Sequence, residues 1–473
     1  MVKFIGRESE LKKLTQLSQR KSASFIVIRG RRRIGKSRLI EEFSRGFDNF
    51  YSFTGLAPDK GITKKDQLEE FSRQISRQFK TAFAKYEDWS DAFQGVSERI
   101  KKGKVLLFFD EISWMAMDDH SFLAKIKNFW DLYLNKNHQL TFIICSSASS
   151  WIEENILSST GFVGRISYTL TLEELPLTDC SKFWSDNIAA YEKLKILSVT
   201  GGVPKYLEEV DPKLTAEENI KQLCFSKGAF LVDEFPRIFS DLFLKDSVFY
   251  KKIVTALASG AKERNEICSM LDVDPNGRIS EFLDELILAG FIKRDHTWDI
   301  HNARDSKLSK YRLKDNYLRF YLKYIDKNIS KINRDLYTFK SLGSLPEWNS
   351  HMGLQFENLV LNNRTLVHQA LNINLEDIVL ENPFYQHKTS RITGCQIDYM
   401  IQTRFNVLYI CEIKFSKNIL GVSVIADVQT KLKALHYPKG YSIRPVLIHV
   451  NEISEEIKES SFFTNIIDFT QFL

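Results

Sequence analysis

Three short stretches in the N-terminal third are almost purely apolar and then stop at small, polar or acidic residues, Ser24–Arg29, Lys104–Glu111 and Leu140–Ser147, and a further strand is expected over Ile166–Leu172. Apolar side chains at successive positions place bulk on both faces of an extended chain, which predicts strands covered by helices on either side, as in a parallel sheet. An amphipathic helix follows the first stretch and a helix over about Ser149 to Leu157 follows the third, so this third of the chain reads as α/β. From about Ser247 to Ile300 the pattern changes to apolar-faced helices over Tyr250–Leu257, Arg264–Leu271 and Arg278–Ala289. A hairpin is expected next, with Gly290–Asp295 turning into Trp298–Ile300. Three helices and a hairpin form a winged-helix pattern, with Ile279, Leu283, Leu286 and Ile287 facing inward on the third helix. Its outward residues include Glu281, Asp284 and Glu285, which phosphates repel, so a structural or protein-contact module is favoured over a direct DNA reader. The last third carries a helix around Gly353-Leu-Gln-Phe-Glu357-Asn-Leu-Val and two strands, Cys395–Ile401 and Val407–Lys414.

The polar residues that end these apolar runs carry the candidate chemistry. Gly30-Arg-Arg-Arg-Ile-Gly-Lys-Ser37 stands between the first strand and its helix, the setting of a phosphate-binding loop. Gly30 and Gly35 let successive N–H groups converge on phosphate oxygens, Lys36 reaches the terminal phosphates and Ser37 can ligate Mg²⁺. The strand from Lys104 delivers Asp110 and Glu111 at its C-terminal edge, a Walker B arrangement. Asp110 would hold Mg²⁺ through water and Glu111 would polarise the water attacking the γ-phosphate. Ser146 and Ser147 end the third strand at the position of a polar sensor, or else cap the helix that follows. Arg165 is a candidate arginine finger acting on a neighbouring subunit's nucleotide, or a surface ion-pairing residue.

A second set of charged groups lies near the C-terminus. Of three E-x-K triplets, only Glu412-Ile-Lys414 ends an apolar strand preceded by an Asp-bearing strand. Alternation on a strand puts Glu412 and Lys414 on one side with Ile413 in the core, and hairpin pairing would bring Asp398 beside them. Asp398 and Glu412, with the Ile413 carbonyl, can hold Mg²⁺ or Mn²⁺; Lys414 can position or help deprotonate water; Glu357 can hold water or a second metal. The opposing reading is a solvated strand end.

Composition sets bounds on the partners. A chain of 473 residues exceeds one hydrophobic core, and 43% hydrophobic with 27% charged residues excludes wholesale disorder. No apolar run reaches membrane-spanning length and the first residues lack a signal peptide's apolar region, so a cytoplasmic protein without a membrane partner is expected. Six scattered cysteines without a C-x-x-C pair indicate neither a zinc site nor a disulfide framework. The net charge of +6 is modest, but Arg304–Lys340 holds eleven Lys or Arg against four Asp, beside Tyr311, Tyr317, Phe320, Tyr321 and Tyr324. That segment reads either as a solvated helix face or as a nucleic-acid contact surface.

Phe4-Ile-Gly-Arg7-Glu8-Ser-Glu-Leu11, the phosphate loop, Asp110-Glu111, Ser146-Ser-Ala-Ser-Ser-Trp151, Gly164-Arg165 and Gly201-Gly-Val-Pro204-Lys-Tyr206 together resemble the archaeal-type ATPases, a family related to AAA+ and STAND nucleotidases. The resemblance implies ATP and Mg²⁺ as cofactors, Arg7 near the base or ribose, and a helical lid whose Pro204 segment bears on the nucleotide. The chain departs from the family's common Gly-Ser at the sensor, where Ser146-Ser147 leaves the water-positioning role open. Tyr311–Tyr321 resembles the family's segment linking the winged helix to the C-terminal domain and is expected to cover one more helix. The C-terminal layout resembles the PD-(D/E)xK nuclease fold, which in this family follows the winged helix, with Gln429 and Lys431 at accessory positions.

The expected architecture is therefore an α/β multidomain protein: a P-loop parallel-sheet ATPase core at 1–180, a helical lid at 181–243, a winged helix at 244–325 and a PD-(D/E)xK nuclease-like domain at 340–473. The expected function is an ATPase coupled to a metal-dependent nuclease on double-stranded DNA, acting as a homo-oligomer. The rival readings are a nucleotide-switched scaffold that binds without cutting, and a transcription regulator using the winged helix.

Overall fold

The computed structural model describes residues 4–57, 61–117, 119–243, 246–390 and 392–473. Residues 1–3, read above for a leader, and 244–245, at the expected start of the winged helix, lie outside the described residues. Contacts divide the chain into two units, Met1–Leu175 with Leu288–Gly290, and Pro176–Ile287 with Phe291–Leu473.

The first unit is built on β1 (Ser24–Arg29), β2 (Asn49–Thr54), β3 (Val105–Asp110), β4 (Leu140–Ser146) and β5 (Tyr168–Thr171), all parallel in the order β2-β3-β4-β1-β5. The near-continuous apolar runs have the expected cause. Phe25, Val27, Leu107, Phe109, Phe142 and Ile144 enter one core, while Ile26, Ile28, Leu106, Phe108, Ile143 and Cys145 enter the other. The first core is aromatic, with Phe93 stacked on Phe129 at 4.8 Å between ring centroids; each buried ring contributes about 1.5–3 kcal/mol. The second takes Leu14 and Leu17 from helix Glu8–Ser18 and Leu39 and Ile40 from helix Lys36–Ser44. Edge strand β2 gives no such run because most of its residues are half-buried or exposed. Parallel pairing brings the C-terminal ends of β1, β3 and β4 to one side of the sheet, where ligands of open α/β sheets bind.

In the second unit, helices Ser247–Leu257, Arg264–Leu271 and Gly277–Leu288 precede an antiparallel hairpin of β6 (Ile292–Asp299) and β7 (Arg304–Leu313). Ile279, Leu283 and Leu286 are buried, Ile287 is half-buried, and Glu281 and Asp284 are exposed. The hairpin differs from expectation. Trp298 belongs to the first strand, which runs on to Asp299, because Asp299 Oδ1 accepts N–H bonds from His301 (2.8 Å) and Asn302 (3.0 Å), placing the turn beyond it.

A correction concerns the aromatic residues of Arg304–Lys340, which offer no surface, whereas Arg304, Lys307, Lys327, Lys331, Arg334 and Lys340 stay exposed. Its first residues form β7; helix Asn316–Phe320 continues as a π turn over Tyr321–Ile325. Tyr311, Tyr317, Phe320, Tyr321 and Tyr324 are all buried, as are Arg312 and Arg319. The spacing of 317, 320, 321 and 324 is that of a helix core face.

The C-terminal sheet comprises β8 (Ile378–Gln386), β9 (Cys395–Thr403), β10 (Val407–Lys414), β11 (Ser442–His449) and β12 (Asn465–Asp468), in the order β12-β11-β10-β9-β8. The β8-β9-β10 part is antiparallel and β10-β11-β12 is parallel, so helix Ser423–Ala434 forms the crossover from β10 to β11. Trp298 and Ile300 pack into the core of this sheet with Phe384, Ile397, Met400 and Leu408, and Trp298 Nε1 donates to Gln402 Oε1 at 2.5 Å. The hairpin end is thus part of the C-terminal core.

Candidate functional site

The loop after β1 closes tightly against β5. A Cβ on Gly30 would stand 2.4 Å from the Leu172 carbonyl oxygen, so only glycine fits. Gly35, at φ 89°, makes the left-handed turn that starts helix Lys36–Ser44. Lys36 is buried, and its Nζ donates to the carbonyls of Gly30 (2.8 Å) and Arg31 (3.2 Å) within the loop. Ser37 Oγ donates to Asp110 Oδ2 at 2.6 Å, joining the first helical turn to the end of β3.

Asp110 Oδ1 accepts the Glu111 N–H at 3.0 Å and the Cys145 thiol at 2.8 Å. Burial, then the charge of Asp110, pushes that thiol's pKa well up, so it stays a donor. Glu111 adopts φ 49°, a left-handed conformation that costs a β-carbon-bearing residue about 1–2 kcal/mol. The turn sends its carboxylate toward the end of β4. There Glu111 Oε2 accepts from Ser147 N (2.9 Å) and Ser147 Oγ (3.0 Å), with Ser146 Oγ at 3.4 Å. Ser146 Oγ in turn lies 2.7 Å from Ser113 Oγ. Arg7 is buried and ties the loop to the chain after β5: Nη2 donates to the carbonyls of Ile34 (3.2 Å) and Glu173 (2.5 Å), and Nη1 pairs with Glu10 at 3.0 Å. Arg165 makes a two-pronged pair with Asp131, both bonds 2.8 Å, and this hydrogen bonding holds the Asp131 pKa below its ordinary value. Pro204 is the first residue of helix Pro204–Glu208 in the second unit.

The C-terminal acids also converge. The antiparallel register of β9 on β10 pairs Cys411 with Tyr399, and Asp398 Oδ2 accepts the N–H of Ile413 at 3.0 Å. Glu412 is 2% exposed; its Oε2 accepts from Lys431 Nζ at 2.5 Å, and Lys414 Nζ lies 2.8 Å from Oε1 without an aligned hydrogen bond. Lys431 also reaches Asp398 Oδ1 at 3.5 Å. Gln429, on the same helix, is exposed. Burial and the charge of Glu412 raise the Asp398 pKa. Burial works against the Lys431 ammonium, but Asp398 and Glu412 outweigh it and raise its pKa. Glu357, on helix Trp348–Asn362, is pushed up to about 7 by burial and then by Asp398, against the opposing pull of Arg312 and Arg319. Among the described residues no group of three or more His, Cys, Asp or Glu is placed to hold a metal ion. The donors brought together here are the carboxylates of Asp398 and Glu412, and Lys431 supplies the positive charge between them. A buried Glu412 oxygen without an aligned donor suits a hard cation of the Mg²⁺ class.

A family model described as an ATPase domain predominantly from Archaea matches residues 4–210. Residues 4–210 are an archaeal-type ATPase domain. The chain is 29% identical over 360 residues to the uncharacterized protein MJECL04 of Methanocaldococcus jannaschii, covering 75% of each. Among solved structures, it is similar to the Walker-type ATPase PABY2304 of Pyrococcus abyssi at 17% identity and TM-score 0.49, over 67% of this chain and 96% of that one. It is also similar to the ORC2 protein of Aeropyrum pernix at 14% identity and TM-score 0.41, over 71% and 96%.

The ATPase domain has the chemistry for a Mg²⁺-nucleotide: a glycine loop at a helix start, a buried ammonium, and a hydroxyl in contact with a carboxylate. Three contacts in the ATPase domain were not visible in its sequence. Ser113 lies just past the acidic end of β3 and Cys145 inside a core strand, and nothing local marks their contacts with Ser146 and Asp110. The Ser147 bonds to Glu111 depend on β4 lying beside β3, which is a property of strand order. No helix among the described residues is long and apolar enough to cross a membrane.

Proposed function

We propose that this chain is an ATP-hydrolysing protein whose nucleotide cycle governs a metal-dependent phosphodiesterase in its C-terminal sheet, with double-stranded DNA as substrate. In the ATPase domain, Lys36 and the loop N–H groups bind the phosphates, and Ser37 and Asp110 hold Mg²⁺. Glu111 orients and deprotonates the attacking water, and release from Ser147 frees its carboxylate for that role. Ser146 is assigned to the sensor, Arg7 to shaping the nucleotide pocket and the Pro204 segment to the lid. Arg165 serves as a finger in a homo-oligomer once it leaves Asp131. The three helices and hairpin act as a winged helix of structural type, and the protein works in the cytoplasm.

The observation that carries the second half is the convergence of Asp398, Glu412, Lys414 and Lys431, with the high-pKa Glu357 close enough to feel the charge of Asp398. Asp398 and Glu412 would hold Mg²⁺ or Mn²⁺, which supplies Lewis-acid stabilisation of the phosphodiester. Lys414 positions the nucleophilic water and Glu357 carries its proton. Incubating the protein with plasmid, ATP and Mg²⁺ or Mn²⁺ tests this: cleavage lost in both Asp398→Ala and Lys414→Ala supports it, and no cleavage with either metal, ATPase activity being intact, overturns it.

The Lys431 ammonium between the two acids favours a second reading, a nucleotide-switched binder in which a lysine holds the cation's place and no strand is cut. That reading gives ATP-dependent DNA binding unaffected by divalent metal at this site.

A further inference from the structure

A cavity of about 280 Å³ in the second unit is lined by Lys262, Arg312, Arg319, Glu357, Asn358 and Tyr385. It adjoins the acids through Glu357, yet its other charged groups are cations from the hairpin and the helix after it. Arg319 is 1% exposed and donates to the Leu313 carbonyl (2.7 Å), the Leu354 carbonyl (3.3 Å) and Gln355 Oε1 (3.0 Å). Among the described residues no carboxylate pairs with it, and its Nε has no hydrogen-bond partner. Arg312 is 3% exposed; its Nε pairs with Asp295 at 2.8 Å and Nη1 bonds Asn358, but Nη2 has no partner. Burial, then the nearby Arg312, lowers the Arg319 pKa to about 10.

A buried guanidinium without a paired carboxylate, as at Arg319, is costly, and two buried arginines lining one cavity, each with an unsatisfied donor, point to an anion beside them. Three cations line this cavity against one lining carboxylate, Glu357, and with Asp295 already paired to Arg312 the balance still favours positive charge by one. A single carboxylate ligand would leave donors unmatched. A phosphate monoester carries a charge of about −1.5 to −2 and three acceptor oxygens, one for each of the three lining cations, Lys262, Arg312 and Arg319. The volume lies near the roughly 300 Å³ lower end for ligand pockets, leaving room for a sugar on the phosphate.

We propose that the cavity between Lys262, Arg312 and Arg319 binds a phosphate monoester, either the terminal phosphate of a nucleic-acid strand or a free mononucleotide or phosphate ion. The site recognises its ligand by charge and does not depend on whether the neighbouring acids cut.

The test uses the full chain with its phosphate loop saturated by ADP, in EDTA so that no strand is cleaved. Fluorescent oligonucleotides of one sequence bearing a 5′-phosphate, a 3′-phosphate or hydroxyl ends are titrated by anisotropy, with inorganic phosphate and adenosine monophosphate as competitors. A phosphorylated end is expected to bind at least about tenfold more tightly than a hydroxyl end, the worth of one charge-assisted hydrogen bond. Lys262→Glu and Arg319→Gln should erase that difference. Lys262 is the safer variant, since its side chain is half-buried and only its backbone bonds Tyr311. If strands bind alike but inorganic phosphate or adenosine monophosphate binds in a Lys262→Glu-sensitive way, the ligand is the free monoester. If no phosphorylated probe shows binding sensitive to Lys262→Glu, the proposal is wrong. Loss of plasmid cleavage alone bears only on the phosphodiesterase reading.

Discussion

The substitution Glu357→Gln should stabilise the second unit at neutral and alkaline pH, against the usual direction for a buried substitution. The folded state raises the Glu357 pKa from 4.5 to about 7, chiefly by burial and secondly through Asp398; the attraction of Arg312 and Arg319 is already contained in that value. Because the folded form keeps its proton where the unfolded chain has lost it, the group's favourable contribution is complete below about pH 4.5. That contribution is lost as pH rises through about 7. A difference of about 2.5 units at about 1.4 kcal/mol each gives a ceiling of about 3 kcal/mol. Part of the Glu357 surface faces the cavity, and water there screens the charge and trims the gain toward about 2 kcal/mol. A neutral amide in place of this carboxyl escapes the cost at every pH. Hydrogen exchange of peptides covering β9, β10 and helix Trp348–Asn362, corrected for intrinsic rates, should show equal protection at pH 4.5. At pH 8 the variant should be the better protected. Equal pH slopes in the two proteins, or weaker protection of the variant at pH 8, would refute the reasoning.

In Gly30→Ala, the added methyl must displace the loop from Leu172, so fluorescent nucleotide binding should fall at least about tenfold. Glu111→Gln should retain nucleotide binding but slow hydrolysis by about a hundredfold or more, read as phosphate release under saturating ATP. Asp295→Asn, which removes the fully buried partner of Arg312, should destabilise the second unit by about 3–5 kcal/mol, measured as a lower denaturant midpoint.

Much of the first unit was legible because its strands are buried on both faces. Such strands must be apolar at every position, and β1, β3 and β4 announce themselves within a residue of their ends. Edge strand β2, lacking that burial, leaves no comparable mark. The phosphate loop was legible for another reason: a run of eight neighbouring residues forms it, and Gly30, Gly35, Lys36 and Ser37 act through local backbone geometry. The C-terminal acids were partly legible, since strand alternation and a hairpin suffice to bring Asp398 to Glu412.

Other features depend on contacts between distant segments. Arg312 and Arg319 look in sequence like members of a solvated basic run, because charge density does not reveal which side of a strand or helix meets a core. The aromatic spacing from Tyr317 to Tyr324 held the signal that this segment turns inward, but its charge obscured it. Ser147 grips Glu111 only because β4 lies beside β3, and Lys431 bridges Asp398 and Glu412 only because the crossover helix returns over them. Sequence by itself thus determined the elements and the chemistry carried within one loop or one hairpin, where neighbouring residues fix the geometry. Which charges are buried, which are paired and which face a cavity was decided by the tertiary structure alone, since desolvation and ion pairing act between groups that the chain separates by tens to hundreds of residues.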